Sequence, residues 1–356
     1  MSRRHAARVA AVRRAMAQEG IDVLVLRPSP DFRFLSASPE GPLPEGAFPE
    51  GVLPEAVLPE GAAPDGGVAP GVFLVVTADA IVETRDPAGL VPASARRVGV
   101  DPEMRASELF RLAIAAELVP ASAVLAPLRL RKDPAELTAL GRAVAAAEAV
   151  LAQAAELAWF GATERAMARR LRLLAVESGC EEVISLRVSA GEHTARPEHV
   201  PGGRVINPGD ALLVSVCGRW DGYCAEAGRV FAVAEPPEDY EAMYSVVLAA
   251  HRAALAALRP SVPFAELART VHEVIDASGY GRFAAPHVGR GVGLGHDEGP
   301  RAGEDAVFAP GMTVCLEPAI YVPDLFGARV ADVVACTAAE PVPLGTRPHT
   351  LHVLDR

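Results

Sequence analysis

The side chains of this chain that could do chemistry gather in its second half. Histidines stand in loop-like segments at His193, His199, His287 and His296, with Glu198, Asp297 and Glu298 close by in sequence. Imidazole titrates near neutrality and is the usual carrier of a proton in catalysis. Taken singly, each of these histidines has a loop or packing role as its simpler reading. Two carboxylates, Glu226 in YCAEAGRVF and Glu317 in TVCLEPAIY, are embedded in apolar runs of strand character. Cys217, Cys224 and Cys315 lie in the same kind of run. A thiol beside an arginine would have its pKa depressed, but buried cysteine is common in strands and packing is the simpler role.

The elements that must position these groups follow from spacing. Residues 3–19 read as an amphipathic helix with Val9, Val12 and Met16 on one stripe, and IDVLVL as a buried strand. GVFLVVTADAIVETR reads as two strands and a turn. VGVDPEM opens a further step, with a helix from about 107 to 118, so residues 1–127 form a small α/β domain. Between them lies a Pro/Glu/Gly-rich tract over 39–70, in which PEG recurs; few of its side chains could pack, and it reads as an insertion in a loop. Residues 128–356 form the second domain. It opens at Asp133, a helix cap, with Pro134 at the first helical position and Leu137, Leu140, Val144, Ala147 and Leu151 on one face. Thr163 caps a second helix, and from 183 the chain is rich in strands.

Composition excludes some functions. The 356 residues are half hydrophobic, with a mean hydropathy of +0.21, enough for a substantial core. The formal charge of -11, without a basic cluster, argues against nucleic acid. No apolar run reaches the ~20 residues a membrane span needs, and the N-terminus lacks the apolar block of a signal peptide. The five cysteines show no CxxC pair, so neither a disulfide scaffold nor a zinc knuckle is expected, and the chain reads as cytoplasmic. Lys132 is the only lysine.

Five segments occur in a recognisable order: SAGEHTARPEHVPGGRVINPGD, ALLVSVCGRWDGYCAEAGRVF, PHVGRGVGLGHDEGP, GMTVCLEPAIYVP and GARVADVVACT. Together they resemble the aminopeptidase P, prolidase and creatinase family, and the N-terminal reading resembles that family's smaller domain. The resemblance implies an α/β (α+β) chain with a C-terminal pita-bread domain, and a homodimer. It also implies a two-metal peptidase site built from two aspartates, a histidine and two glutamates. Carried over position by position, the first aspartate falls on Ser215 and the second on Glu226, eleven residues later. The histidine falls on Arg290, the first glutamate is kept as Glu317, and the second falls on Ala331. The substrate-handling histidines fall on Glu198 and Asp297, each next to a real histidine, His199 and His296.

An arginine presents donors only and keeps its charge, so these positions imply a chain without a cofactor, or at most with a weakly bound divalent cation. Arg290 is suited to compensate Glu226 and Glu317 by bidentate bonds. The resemblance to the metal-free creatinase branch then implies a metal-independent hydrolase or lyase cleaving a C–N bond of a small molecule. In that reading Glu226, Glu317, His199 and His296 are catalytic. Arg290, Arg329, Ser215, Glu198 and Asp297 hold the substrate. Two other readings stay open: an inactive pseudo-peptidase with a binding or regulatory role, and an Xaa-Pro aminopeptidase or dipeptidase.

Overall fold

The computed structural model describes residues 3–36, 71–299 and 306–354. The 39–70 insertion reading lies outside the described residues. The chain forms two compact units, Met1–Arg129 and Leu130–Arg356, both mixed α/β as expected. No described helix is long and apolar enough to cross a membrane.

In the first unit α1 (Arg3–Glu19) precedes β1 (Val23–Leu26) and the short α2 (Pro30–Leu35). β2 (Phe73–Val76), β3 (Ile81–Thr84), β4 (Arg97–Val100), α3 (Ala106–Leu112), β5 (Glu117–Pro120) and α4 (Ser122–Leu130) follow. The five strands make one sheet in the order β3-β2-β1-β4-β5, with β1, β4 and β5 parallel. The helix expected over 107–118 is shorter. Ala113 adopts a left-handed φ of 45°, which ends α3, and Glu117–Pro120 pairs with β4 instead of continuing the helix.

The second unit opens with α5 (Pro134–Ala155) and α6 (Glu164–Glu177). Asp133 caps α5 in a reciprocal box with Glu136, and Thr163 caps α6, as the sequence indicates. β6 (Glu182–Ala190), β7 (Ala211–Trp220), β8 (Tyr223–Val233), α7 (Tyr240–Ala257) and α8 (Phe264–Ala277) follow. Then come β9 (Gly289–Gly291), β10 (Thr313–Leu316), β11 (Ala319–Val322), β12 (Phe326–Arg329), β13 (Asp332–Ala335), β14 (Val342–Pro343) and β15 (His352–Leu354). The strands form two four-stranded sheets, β15-β8-β7-β6 and β14-β13-β10-β9, and a β11–β12 hairpin.

Strand alternation sorts the long central strands between two cores. Leu212, Val214 and Val216 pack with α5 and α6, around Leu140, Trp159 and Leu171. Ala211, Leu213 and Val230 pack with α7 and α8, around Tyr240, Val247 and Phe264. Period two then places Ser215 and Cys217 on the face of Leu213, and Glu226 and Gly228 on the face of Val230. The register brings them together, with Ser215 opposite Gly228 and Cys217 opposite Glu226.

Candidate functional site: an arginine–glutamate cluster

The second sheet completes the site. β9 puts Arg290 opposite Cys315 on β10, one residue before Leu316 and two before Glu317. The isolated bridge between Gly228 and Ala331 joins the two sheets at this point. A Cβ on Gly228 would stand 3.0 Å from the Ala331 Cβ and 3.2 Å from the Ser215 Cβ, so the close approach requires glycine. Gly291 is similarly constrained: a Cβ there would overlap the Gly299 carbonyl, so part of the glycine pattern serves a tight packing contact.

Arg290 and Arg329 hold the two carboxylates between them. Arg290 Nη2 donates to Glu226 Oε2 over 2.6 Å, and Arg290 Nη1 donates to Glu317 Oε2. Arg329 Nη2 donates to Glu226 Oε1 and, over 3.2 Å, to Ser215 Oγ. Arg329 Nη1 lies 3.0 Å from Glu317 Oε1. Two carboxylates thus face two guanidiniums, and the set is neutral. Glu317 Oε1 and Arg329 Nε are buried and make no hydrogen bond.

Electrostatics follow from this closure. Burial by itself would raise the Glu226 pKa, but Arg329 and Arg290 outweigh it and hold the carboxyl at about 2. Burial would lower the pKa of both arginines, but Glu226 and Glu317 drive them above the usual range. Burial pushes the Cys217 and Cys315 thiols well up, against the pull of Arg290. Both remain protonated, so neither is an activated nucleophile.

A second group forms around Glu164, in the first turn of α6. Its side chain is fully buried. Oε1 accepts from the Ala190 N–H at 2.9 Å and faces His193 Nδ1 at 3.0 Å. Oε2 accepts from the Gly202 N–H at 3.1 Å and faces His199 Nε2 at 2.8 Å. Burial would raise the Glu164 pKa, but bonds from Gly202, His199, Ala190 and His193 bring it below the ordinary value. The loop carrying His199 is tied down by Arg187, which donates to the carbonyls of Pro197 at 2.9 Å and Arg196 at 2.5 Å. Arg187 is itself opposite Ser215 in the β6–β7 register.

The remaining sequence candidates fall out as follows. Glu198 is exposed, whereas His199 is turned onto Glu164. His296 is exposed and its carbonyl accepts from Arg290 Nε at 2.8 Å; Asp297 is half-buried. Glu298 pairs with Lys132 at 2.9 Å, both side chains being 2 % exposed. His287 is exposed. Sequence reasoning missed Glu164 and Arg187. An acidic residue in a first helical turn reads as a solvated dipole partner, and nothing local marks it as the anchor of two loop histidines.

A profile of metallopeptidase family M24 matches residues 138–338. The chain is 34% identical over 282 residues to a probable dipeptidase, PepE, of Mycobacterium tuberculosis, covering 77% of this chain and 75% of that protein. The chain belongs to metallopeptidase family M24. It is also 30% identical over 217 residues to an Xaa-Pro dipeptidase of Pyrococcus furiosus, covering 60% and 62%. Among solved structures, dipeptidase PepE from Mycobacterium ulcerans matches with a TM-score of 0.81 at 27% identity, over 99% of this chain and 98% of that one. The Xaa-Pro dipeptidase from Bacillus anthracis shares the fold, with a TM-score of 0.83 at 21% identity over 98% and 100%. The expected family and its pita-bread fold are therefore present, and the family is one of peptide hydrolases.

Two expectations are corrected. The chain was expected to be a metal-independent, creatinase-like hydrolase or lyase and to need no cofactor. Its relatives are dipeptidases in a metallopeptidase family. Among the described residues, moreover, three groups bring His, Cys, Asp or Glu donor atoms within 4.8 Å of one another. These are Glu164–His193–His199, His251–Asp332–His349 and Glu226–Cys315–Glu317. The sequence reading considered only the five inherited positions and so overlooked the first two groups.

At the five inherited positions themselves, the side chains do not fit a pair of divalent cations. Arg290 and Arg329 already saturate Glu226, and each also pairs with one oxygen of Glu317. Ala331 offers no side-chain donor atom. Two divalent cations would bring four further positive charges to contact distance from two guanidiniums.

Proposed function

We propose that the chain acts on dipeptides, as a small-peptide hydrolase. The observation that supports this reading is the 34% identity to a probable dipeptidase over about three quarters of both chains. The Arg–Glu cluster is suited to a peptide terminus. Arg290 and Arg329 side chains keep 20% and 18% exposure, against 12% for Glu317 and 3% for Glu226, so the arginines are more open to solvent than the glutamates. A substrate carboxylate would pair with it through two hydrogen bonds, with Ser215 as a further hydroxyl partner. Glu164 orients His193 and His199, and His199 is the residue proposed to carry the proton at the scissile bond. The proposed assembly is a homodimer.

A second reading is favoured by one observation, the two guanidiniums bonded to Glu226 and Glu317, the glutamates that the resemblance assigns to metal. In it the chain binds dipeptides without cleaving them. One experiment separates the two. The chelator-stripped protein is supplied in turn with Mn2+, Co2+ and Zn2+ and offered a panel of dipeptides with and without C-terminal proline. Free amino acids are measured by chromatography and binding by thermal shift. Product release supports the hydrolase, and a raised Tm without products supports the binding protein. If no dipeptide is cleaved or raises the Tm, both fail.

A further inference from the structure

We propose that His251, Asp332 and His349 form a binding site for one divalent ion of the zinc class, apart from the arginine–glutamate cluster. The three residues come from distant parts of the second unit: α7, the start of β13, and the segment between β14 and β15. Both imidazole Nε2 atoms converge on one carboxylate oxygen, Asp332 Oδ2, with His251 at 3.0 Å and His349 closer. All three donor atoms lie within 4.8 Å of one another.

The observation that points to a ligand is at His251. Its side chain is 6% exposed, and its buried Nε2 has no well-formed hydrogen bond, its nearest acceptor being Asp332 Oδ2 at 3.0 Å. A buried ring nitrogen in that condition is destabilising. A coordinated ion would satisfy it together with the other two donors. Zinc takes imidazole nitrogen and carboxylate oxygen at about 2.0–2.2 Å, so tetrahedral donors stand roughly 3.3 Å apart. His251 and Asp332 need to spread by only a few tenths of an ångström, whereas His349, in closer contact with Asp332, must draw back further to admit an ion. Two imidazoles and one carboxylate select Zn2+, Co2+ or Ni2+ over Mg2+ and Ca2+, which prefer oxygen alone.

The surroundings are built to hold these residues in place. Arg229 Nη1 lies 2.8 Å from Asp332 Oδ1, which leaves Oδ2 to the imidazoles. Glu148 accepts from the N–H of Thr346 at 2.9 Å and of Arg347 at 3.0 Å, and Tyr244 donates to the His349 carbonyl at 2.6 Å. The segment bearing His349 is thereby fixed over the site. Glu148 and Asp332 against Arg229 leave one net negative charge for a cation. The His349 side chain is 33% exposed, which gives an ion a way in and a water its place in the fourth position. Asp332 follows Ala331 in extended chain and so points to the opposite face. The site is distinct from the inherited one.

The test uses the full chain, stripped with chelator and titrated with Co2+. Bound metal is counted by elemental mass spectrometry, and imidazole coordination is read from visible d–d absorption. His349→Ala removes the most exposed of the three residues. It is expected to bind one equivalent fewer than the wild type and to lose the matching absorption. Equal stoichiometry in the two proteins overturns the proposal, as does a wild type that binds no Co2+. Diethyl pyrocarbonate labelling of the wild type needs no variant: Zn2+ is expected to protect His349 at least tenfold. Equal labelling with and without Zn2+ also overturns it.

Discussion

Arg290 Nη2 donates to Glu226 Oε2 across 2.6 Å, so the side chain at the family's histidine position is bonded to the side chain at one of its carboxylate positions. The bond closes the inherited site from within. Arg329 repeats it from the β12 side and reaches both glutamates. The energetics are those of a buried ion-pair network, in which removing one partner is far worse than never having had the set.

Arg290→Met is therefore expected to destabilise the chain by about 3 kcal/mol, because Glu226 and Glu317 keep only one cation between them. Urea unfolding at neutral pH measures it. A loss smaller than about 1 kcal/mol would mean that the cluster is solvated in solution.

Acid sensitivity is the second expectation. Glu226 sits at about 2 in the folded chain and near the ordinary 4.5 when unfolded. Its folded pKa is depressed, so its stabilisation is full above about pH 4.5 and is lost as pH falls towards 2. The difference amounts to about 3 kcal/mol. In urea midpoints taken from pH 6 down to pH 2.5, Glu226→Gln is expected to start lower and to decline less steeply than the wild type. Parallel curves would contradict the ion-paired carboxylate.

Glu164 offers a third measurement. Glu164→Ala leaves the Ala190 and Gly202 N–H groups without their acceptor and frees both histidines, which costs about 3 kcal/mol. Under the proposed function, Glu164→Gln keeps most of the fold and lowers the dipeptide response at least tenfold through His199. A Gln variant with unaltered dipeptide response would leave Glu164 a purely structural residue.

The thiols give a fourth. All five cysteines are free and buried, and burial holds Cys217 and Cys315 protonated. Native protein at pH 8 is expected to react with iodoacetamide at least a hundredfold more slowly than unfolded protein. Rapid stoichiometric labelling at Cys217 or Cys315 would restore a thiol to the chemistry.

Much of this was legible in the sequence because strands and caps are local. Asp133, Pro134 and Thr163 announce their helices, whereas Ser215 and Glu226 were joined in one site only by the resemblance, their cross-strand partners being Gly228 and Cys217. Arg290 was legible as the partner of Glu226 and Glu317 because the resemblance set all three in one site and a guanidinium suits two enclosed carboxylates. Arg329 was read as a structural position or a substrate contact, since which of the two glutamates a guanidinium reaches depends on how the β11–β12 hairpin folds back. Glu164 and His251 were not legible. Each sits on a helix, and its partners arrive from loops and a strand 29 to 98 residues away. Single-chain periodicity carries no information about such meetings. The reading without metal failed for a related reason, since it weighed only positions that a motif had already marked.

The most direct test of the closed frame is a crystal structure of the protein grown with excess Mn2+, with anomalous data collected near the manganese edge. Guanidinium density from Arg290 and Arg329 is expected between Glu226 and Glu317, with no anomalous peak there. Two peaks about 3.5–4 Å apart, bridged by those glutamates and with both arginines swung out, would contradict it.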